Sequence, residues 1–324
     1  MVNAFEDKKV SEEDIKELVI LWRKKGETPY EIAELAKIIN KKQNQSLSFV
    51  DSVDVCGTGG DMQNTFNIST LSAIVASSCG AKIIKHSGRS TTSILGSVDI
   101  LSEVGLDING EKSIREKCFE KTGLMFTSSF LLRNLFSEVK KICKQISTPG
   151  FVNLIGPLTN SYQTSFQILG VSKPAWGELL IEALRLLGKK KAYVVCCEIE
   201  NGVFLDELSF SGRNHLWKLS DFTKVEKSVF TEKDYKEEFI PPSELMLRDK
   251  DTAIQIFEEI LKGGYSHNLV VNKAKTVAIN TAYILFISNK VKNLYEGYNL
   301  SMEYLYSGKA WEQFHALKNC IQKV

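Results

Sequence analysis

The chain of 324 residues lacks the features that mark several large classes of protein. No apolar run approaches the roughly 20 residues that a membrane-spanning helix needs. Residues 1–9 contain no apolar signal core, so we expect a cytoplasmic protein. The net charge is only +2, which argues against a nucleic-acid partner. The remaining composition, 43% apolar and 25% charged, is typical of a soluble globular protein.

Common cysteine and nucleophile motifs are also missing. The seven cysteines are odd in number and form no Cys-x-x-Cys pattern, so we expect neither a disulfide framework nor a zinc site. Several cysteines lie in apolar runs, which predicts free, buried thiols. There is no Ser/His/Asp nucleophile elbow and no Gly-x-x-x-x-Gly-Lys-Ser/Thr loop. Any site chemistry must therefore come from other motifs.

The N-terminal part has the spacing of helices. Ser11 followed by Asp14 resembles a capping box, and Thr28 precedes a proline at the predicted start of a second helix. The polar stretch 40–48 is typical of a linker. We therefore predict a small helical domain at residues 1–48.

Residues 49–324 show short apolar strands alternating with helices, which predicts an α/β domain with a largely parallel sheet. The predicted strands are Val53–Cys56, Ala81–Lys85, Phe166–Val171, Ala192–Cys197 and Leu269–Asn272. The predicted helices include Leu71–Ser78, Ile94–Val104, Lys112–Lys121, Trp176–Leu187, Asp251–Leu261 and Thr276–Phe286. Residues 199–229 favour antiparallel strands, so the sheet should be mixed.

The strongest functional signal is a strand, loop and helix start at Asp54–Thr70. Gly57, Gly59 and Gly60 permit positive φ and let backbone N–H groups turn around an anion, and Asp61 adds a carboxylate. The next polar residues would place N–H groups and hydroxyls at a helix N-terminus, where phosphate is favoured. They are Asn67, Ser69 and Thr70. This combination predicts a site for a phosphorylated ligand.

Two further motifs fit the same cleft. Lys85–Ser93 follows a predicted strand and carries cations, hydroxyls and a histidine, His86, at the edge where α/β sheets bind ligands. The adjacent carboxylates Asp206 and Glu207 suit Mg²⁺, which commonly takes one or two carboxylates plus phosphate oxygens. Alone, such an acidic pair is usually a solvated turn.

Together these segments resemble the anthranilate phosphoribosyltransferase family, in order and over nearly the whole chain. The matching segments are Gly57–Asp61, Asn67–Thr70, Lys85-His86, Gly96–Asp99, Asn153–Asn160, Leu205–Glu207, Lys25–Thr28 and Ser307–Ala310. The resemblance implies an α/β fold of the nucleoside-phosphorylase type. It would have a small N-terminal helical domain, completed by helices from about 130–160, plus a larger α/β domain with a mostly parallel, mixed central sheet.

The resemblance also implies a Mg²⁺-dependent pentosyltransferase that uses phosphoribosyl pyrophosphate (PRPP) and a small aromatic acceptor, as in tryptophan biosynthesis. The implied PRPP-binding residues are Gly57, Thr58, Gly59, Gly60, Asp61, Asn67, Ser69, Thr70, Lys85 and Ser97. The implied metal-binding residues are Ser69, Asp206 and Glu207. No residue is assigned as a general acid or base, because Mg²⁺ and Lys85 would stabilise the leaving diphosphate electrostatically.

The departures from the family pattern gather on the acceptor side. The family's Lys-His-Gly-Asn-Arg is Lys85-His-Ser-Gly-Arg89 here, and the stretch at 126–132 lacks the usual histidine. Cys143, followed by Lys144, stands where the family has an arginine for the anthranilate carboxylate. The acceptor-side candidates are His86, Gly88, Arg133 and Gly156. We therefore expect a rewritten acceptor site and an acceptor that can differ from anthranilate.

Three other interpretations stay open. The first is anthranilate transfer itself, with Arg133 or Lys144 supplying the missing contact. The second is pyrimidine nucleoside phosphorolysis, because Ser87-Gly88-Arg89 resembles a motif of those phosphorylases. The third is a non-catalytic relative that binds nucleic acid. The family usually has two more N-terminal helices that contribute to its homodimer, so dimerisation is less certain here.

Overall fold

The computed structural model describes residues 10–43, 48–88, 94–128, 136–145 and 151–322. Its central element is an eight-stranded sheet in the order β3-β2-β1-β4-β5-β7-β8, with β6 paired to β5. The strands are β1 Ser48–Gly57, β2 Lys82–His86, β3 Leu124–Thr127, β4 Gln163–Gly170, β5 Lys191–Glu200, β6 Val203–Leu205, β7 Arg213–Ser220 and β8 Lys224–Phe230. The strands from β3 to β5 run parallel, and β6, β7 and β8 are antiparallel to their neighbours. The predicted mixed, mostly parallel sheet is confirmed.

Helices cover both faces of this sheet. In the part of the chain that the structure describes they are α1 Glu12–Lys25, α2 Pro29–Lys42, α3 Ile68–Ser78, α4 Ser97–Glu103, α5 Lys112–Thr122, α6 Ser137–Gln145, α7 Val152–Ile155, α8 Ala175–Leu186, α9 Lys250–Lys262, α10 Asn268–Ile287, α11 Leu294–Tyr306 and α12 Lys309–Gln322. None of these helices combines the length and apolar content that crossing a bilayer would take.

Local sequence signals explain the N-terminal helices. The Ser11 side chain accepts from Asp14 N while the Asp14 carboxylate accepts from Ser11 N, which is the predicted capping box. Thr28 and Glu31 form a second capping box, and Pro29 occupies the first turn of α2. The helices therefore begin where the sequence predicts.

Two apolar cores lie on opposite faces of the sheet. One joins the sheet to α3, α9, α10, α11 and α12. The other joins it to α1, α2, α6, α7 and α8. Neighbouring residues of β1 alternate between them, since Val53 and Val55 belong to the first core and Cys56 to the second. The boundary at residue 48 stays a prediction, because α2 packs on α7 and on α8 as well.

Three sequence predictions need correction or addition. Leu269–Asn272 is not a strand but the start of α10, and Leu269 is 47% exposed, as the first turn of a helix allows and a central strand would not. The short strand β3 was not predicted, because four apolar residues after a helix carry little periodicity. Cys118 and Cys320 form a disulfide that ties α5 to α12, so they are not free thiols; the other five cysteines are free.

Candidate functional site

The glycine loop follows β1 at the edge where the parallel strands end. Thr58 N donates to the Gly170 carbonyl at the end of β4 (2.9 Å), and Thr58 Oγ1 accepts from Ser172 N (3.3 Å). Gly59 and Gly60 have φ of 61° and 82°, in the left-handed region that suits glycine. The loop is thus fixed to β4 and turns sharply after it.

Asp206 lies directly against this loop. Gly59 N donates to Asp206 Oδ2 (3.0 Å). A Cβ on Gly57 would lie 2.7 Å from Asp206 Oδ2, and a Cβ on Gly170 would overlap the Asp206 backbone carbonyl. Because Gly57 and Gly170 have no side chains, Asp206 can pack directly against the backbone at the ends of β1 and β4.

The start of α3 forms the next part of the site. Ser69 N donates to Glu207 Oε1 (3.2 Å), so the second carboxylate binds the helix N-terminus. Asn67 occupies the N-cap position without a capping bond; instead its Nδ2 donates to the Leu95 carbonyl (3.0 Å). Thr70 Oγ1 is buried and has no partner among the described residues. All three predicted polar residues thus lie at the helix start, but Asn67 ties it to the following segment rather than capping it.

Lys85, at the end of β2, links the parts of this cluster. It is 2% exposed, and its Nζ donates to the Val55 carbonyl (2.9 Å) and to Ser69 Oγ (3.0 Å). Burial lowers the pKa of Lys85, while nearby acidic groups, Glu207 and Asp206 among them, partly raise it again. The lysine is therefore held beside the two predicted metal-binding carboxylates.

Burial raises the pKa values of the three acidic side chains of the cleft. Burial, followed by the negative charges of Asp61 and Glu207, raises the pKa of Asp206 well above its usual range. Burial raises the pKa of Glu207 to about 7, with Lys85 opposing the shift, and burial also raises the pKa of Asp61. Asp61 Oδ2 is buried without a hydrogen-bond donor among the described residues. One lysine, Lys85, lies beside Asp206 and Glu207, and a divalent cation would supply further positive charge.

Ser97 is brought to the same edge by α4. It is the first residue of that helix, whose Gly96 N donates to Asp99 Oδ2 (2.9 Å). Val98 N donates to the Gly88 carbonyl (3.2 Å). Ser97 therefore lies beside the loop that follows β2, as the sequence predicts.

In this loop Ser87 is buried, His86 is half-buried and Gly88 is exposed, and the side chains of His86 and Ser87 are only partly paired. His86 N donates to Asp54 Oδ1 (3.0 Å), and Ser87 N donates to the Thr127 carbonyl (2.7 Å). In the described part of the chain His86 Nδ1 and Ser87 Oγ have no hydrogen-bond partner. Burial lowers the pKa of His86, so its imidazole is neutral at pH 7. Two polar atoms are therefore left for an occupant.

Gly156 follows the short helix α7, whose residue Asn153 contacts the glycine loop. Asn153 Nδ2 donates to the Thr58 carbonyl (3.3 Å), and Gly156 begins the short 3₁₀ turn Gly156–Leu158. Cys143, for which the sequence resemblance predicts the place of the family's arginine, is 8% exposed, and burial raises the pKa of its thiol. Arg133 and the side chain of Lys144 lie outside the described residues.

Other contributors carry weaker sequence signals. Asp54 is a charged residue within the apolar strand Val53–Cys56, and this break in the pattern could have identified it. Asn153 is identified only by the family resemblance, and no sequence signal identifies Lys273. Lys273 Nζ lies 5.6 Å from the ring centroid of Phe66, immediately before Asn67, and burial lowers its pKa to about 8. Asp54 and Asn153 thus belong to segments named from the sequence, whereas Lys273 supports the site from outside them.

Comparison with known proteins gives a consistent result. A profile of a glycosyl transferase family, a/b domain, matches residues 50–311. The anthranilate phosphoribosyltransferase of Bacillus cereus (strain B4264) is 34% identical over 310 residues, which are 95% of this chain and 88% of that protein.

Solved structures agree with the sequence match. The anthranilate phosphoribosyltransferase of Thermus thermophilus is 25% identical with a TM-score of 0.86, covering 99% of this chain and 93% of that one. The Saccharomyces cerevisiae enzyme, in complex with PRPP and Mg, is 25% identical with a TM-score of 0.82, covering 97% and 86%. The chain belongs to the anthranilate phosphoribosyltransferase family.

Proposed function

We propose that this protein is a Mg²⁺-dependent phosphoribosyltransferase that transfers the phosphoribosyl group of PRPP to anthranilate or a related aromatic amine. One arrangement carries the proposal: Asp206 and Glu207 contact the glycine loop and the N-terminus of α3, where Lys85 also binds Ser69. A phosphate cradle, a buried cation and two metal-type carboxylates thus share one cleft. This combination suits a diphosphate with its metal better than it suits free phosphate.

The carboxylates fit a magnesium ion. Asp206 and Glu207 both have raised pKa values, and Asp61 Oδ2 has no donor in the described part of the chain, so a divalent cation would relieve their repulsion. Ser69, Asp206 and Glu207 would hold Mg²⁺, directly or through water. When bound, the ion neutralises charge that develops on the departing diphosphate. No three His, Cys, Asp or Glu side chains of the described ranges form a metal site by themselves.

The reaction breaks the bond between the ribose anomeric carbon and a diphosphate oxygen and forms one to the amine nitrogen. N–H groups of the glycine loop and of α3 other than those of Gly59 and Ser69, which donate to Asp206 and Glu207, would bind the phosphates, and Lys85 would stabilise the leaving group. The amine loses one proton as the bond forms, and the departing diphosphate or solvent takes up this proton. His86 is neutral at pH 7 and keeps Nδ1 unpaired among the described residues, so it can accept a hydrogen bond on the acceptor side.

Calorimetry with PRPP tests the donor half. We expect binding that depends on Mg²⁺, and we expect Asp206→Asn to weaken it about tenfold to a hundredfold. The matched control is Asp221→Asn, an exposed turn residue with φ of 46° that asparagine accepts. PRPP binding that ignores Mg²⁺, or equal losses in both variants, would contradict the proposal.

A fluorescence assay tests the acceptor half. Anthranilate should be consumed in the presence of PRPP and Mg²⁺, and its fluorescence should fall. Other aromatic amines and carboxylates, compared in parallel, show whether the departures at Ser87-Gly88 and Cys143 have changed the acceptor. If uridine or thymidine is cleaved with phosphate instead, the phosphorylase interpretation replaces this one.

Two finer points complete the proposal. A cytoplasmic location suits the five free thiols, whereas the disulfide of Cys118 with Cys320 is the feature that argues against it.

For assembly, α1 and α2 expose apolar side chains that a second copy could cover. They are Ile20, Leu21, Tyr30 and Ile38. Sedimentation at several protein concentrations tests whether this surface supports a homodimer.

A further inference from the structure

A second cavity lies at the other end of the sheet from the glycine loop. Its volume is about 770 Å³, within the range of ligand pockets. It is lined by α2, by Asp54 in β1, by the first residues of β4 and by Lys189, which precedes β5. None of the residues predicted to bind PRPP is among those that line it. It is therefore separate from the donor site.

Two buried acceptors that line this cavity have no partners among the described residues. Asp54 is 1% exposed, and its Oδ1 accepts from His86 N (3.0 Å), but its Oδ2 has no hydrogen bond. Asn40 Nδ2 donates to the Leu158 carbonyl (3.0 Å), whereas Asn40 Oδ1 is buried and unpaired. Buried acceptors without donors are costly, so the cavity favours an occupant that carries N–H or O–H groups.

Positive charge surrounds the same space. Lys37 and Lys41 are exposed residues of α2 that line the cavity, and Lys37 also pairs with Glu34 (2.8 Å). Lys189 Nζ donates to the carbonyl and to Oγ1 of Thr164 (2.7 and 2.6 Å), which leaves one of its three N–H groups for an occupant. The two exposed lysines therefore offer positive charge to an anionic group on the occupant, whereas burial lowers the pKa of Lys189 and the nearby Asp54 carboxylate partly raises it again.

We propose that this cavity binds a small amino carboxylate. Its amine would donate to Asp54 Oδ2 and Asn40 Oδ1, and its carboxylate would pair with Lys41 and its neighbours. A simple anion does not satisfy the unpaired acceptors, and a lone cation is repelled by the lysines. Leu158 and Leu187 give the wall an apolar part that suits a hydrocarbon or aromatic body.

Two sources offer this chemistry, a free α-amino acid and an aminobenzoate. Calorimetry without PRPP would compare L-tryptophan, L-leucine and 2-aminobenzoate with benzoate and aniline, each of which lacks one end. We expect at least one two-ended compound to bind, and we expect each one-ended compound to bind about tenfold more weakly. Tight binding by L-amino acids alone, or by 2-aminobenzoate alone, identifies the source, and either result supports the site.

Variants locate the binding on the protein. Lys41→Glu should weaken it by about fivefold or more, while the exposed neighbour Lys42→Glu, which does not line the cavity, should leave it unchanged. Asp54→Asn keeps an oxygen for His86 N but removes the charged acceptor, so we expect about a tenfold loss with an unchanged circular dichroism spectrum.

Three results would overturn the proposal: no binding of any two-ended compound at millimolar concentration, equal losses in Lys41→Glu and Lys42→Glu, or undiminished binding by a folded Asp54→Asn variant. A second aminobenzoate site at the acceptor cleft would appear as the component that Lys41→Glu leaves untouched. The measurement needs neither PRPP nor turnover, so its failure is distinct from failure of the transferase proposal.

Discussion

The donor and acceptor sides of the cleft differ in how firmly hydrogen bonds hold their central side chains, although Asp61 Oδ2 and Thr70 Oγ1 on the donor side also have no partner among the described residues. On the donor side Lys85, Asp206 and Glu207 each bind the glycine loop, the start of α3 or a strand end. On the acceptor side His86 Nδ1 and Ser87 Oγ have no partner among the described residues. The donor groups are thus positioned before any ligand arrives, while the acceptor groups depend on what occupies them.

The largest expected effect comes from removing the cation of the donor side. Lys85→Met should lower kcat/KM about a thousandfold, because the buried charge that faces the diphosphate is lost next to three carboxylates. Steady-state kinetics with PRPP and anthranilate measure this loss. The control is Lys82→Met, an exposed lysine on the same strand. Equal activity of the two variants would mean that the donor side is not organised around Lys85.

The pH dependence gives the next effect. The pKa of Glu207 is about 7, and Mg²⁺ needs the deprotonated carboxylate, so PRPP–Mg²⁺ affinity should fall about tenfold per pH unit below 7. Calorimetry between about pH 5.5 and about pH 8 measures this affinity on both sides of the pKa of Glu207. Glu207→Gln should bind weakly at every pH, with a shallower slope that comes from Asp206 alone. A wild-type affinity that is flat with pH would contradict the assignment of Glu207.

The same shift predicts how the metal-free protein responds to pH. The folded-state pKa of Glu207 lies above its ordinary value of 4.5, so its stabilising contribution is complete below pH 4.5 and is lost as pH rises through about 7. Thermal unfolding should therefore show a Mg²⁺-induced rise in Tm that grows with pH over this interval. A rise that is larger at the acidic end of the interval than at its basic end would have the wrong sign.

A smaller effect is expected from restoring the family pattern on the acceptor side. A Cβ on Gly88 would meet no atom of the described residues within 4 Å, so Ser87→Gly with Gly88→Asn should fit and add an amide donor. We expect KM for anthranilate to fall about fivefold, the value of one hydrogen bond. Gly88→Ala is the control that adds bulk without the amide. An unchanged KM would show that this loop does not determine the acceptor.

The smallest effect on the site should come from the disulfide. Cys320→Ser opens a covalent loop spanning 202 residues, which lowers stability by about 2–4 kcal/mol if the unfolded chain gains freedom. PRPP affinity should stay the same, because neither cysteine lies near the cleft motifs. Thiol titration of the unfolded protein, with and without reductant, should give seven and five groups, the difference being the two paired cysteines. Seven titratable thiols without reductant would contradict the disulfide.

Most of the fold could be predicted from the sequence because its local signals agree. The capping residues Ser11 and Thr28 and the glycine loop after β1 all lie where the pattern places them. The prediction for Leu269–Asn272 was wrong because a short apolar run is compatible with a strand or a helix turn, and only packing distinguishes them. The pairing of Cys118 with Cys320 is long-range information that no spacing rule contains.

Local sequence signals also indicate part of the candidate site. Glycines, Lys85 and the Asp206-Glu207 pair are adjacent in short motifs, so their chemistry is visible before folding. The role of Asp54 in holding His86, and of Asn153 in holding the Thr58 carbonyl, depends on contacts between distant segments. On the acceptor side the motif is altered and Arg133 lies outside the described residues, so the identity of the acceptor stays a prediction.

The glycines of the cleft also bear on how such an enzyme can change. At Gly57 and Gly170 any side chain would displace Asp206, so substitutions there should vanish from a mutational library selected for activity. At Gly88 no described residue would crowd a side chain. Among these three glycines, Gly88 is therefore the one with room for variation that reaches new acceptors, and libraries meant to redirect this protein should concentrate on Ser87 and Gly88 and keep the two packed glycines fixed.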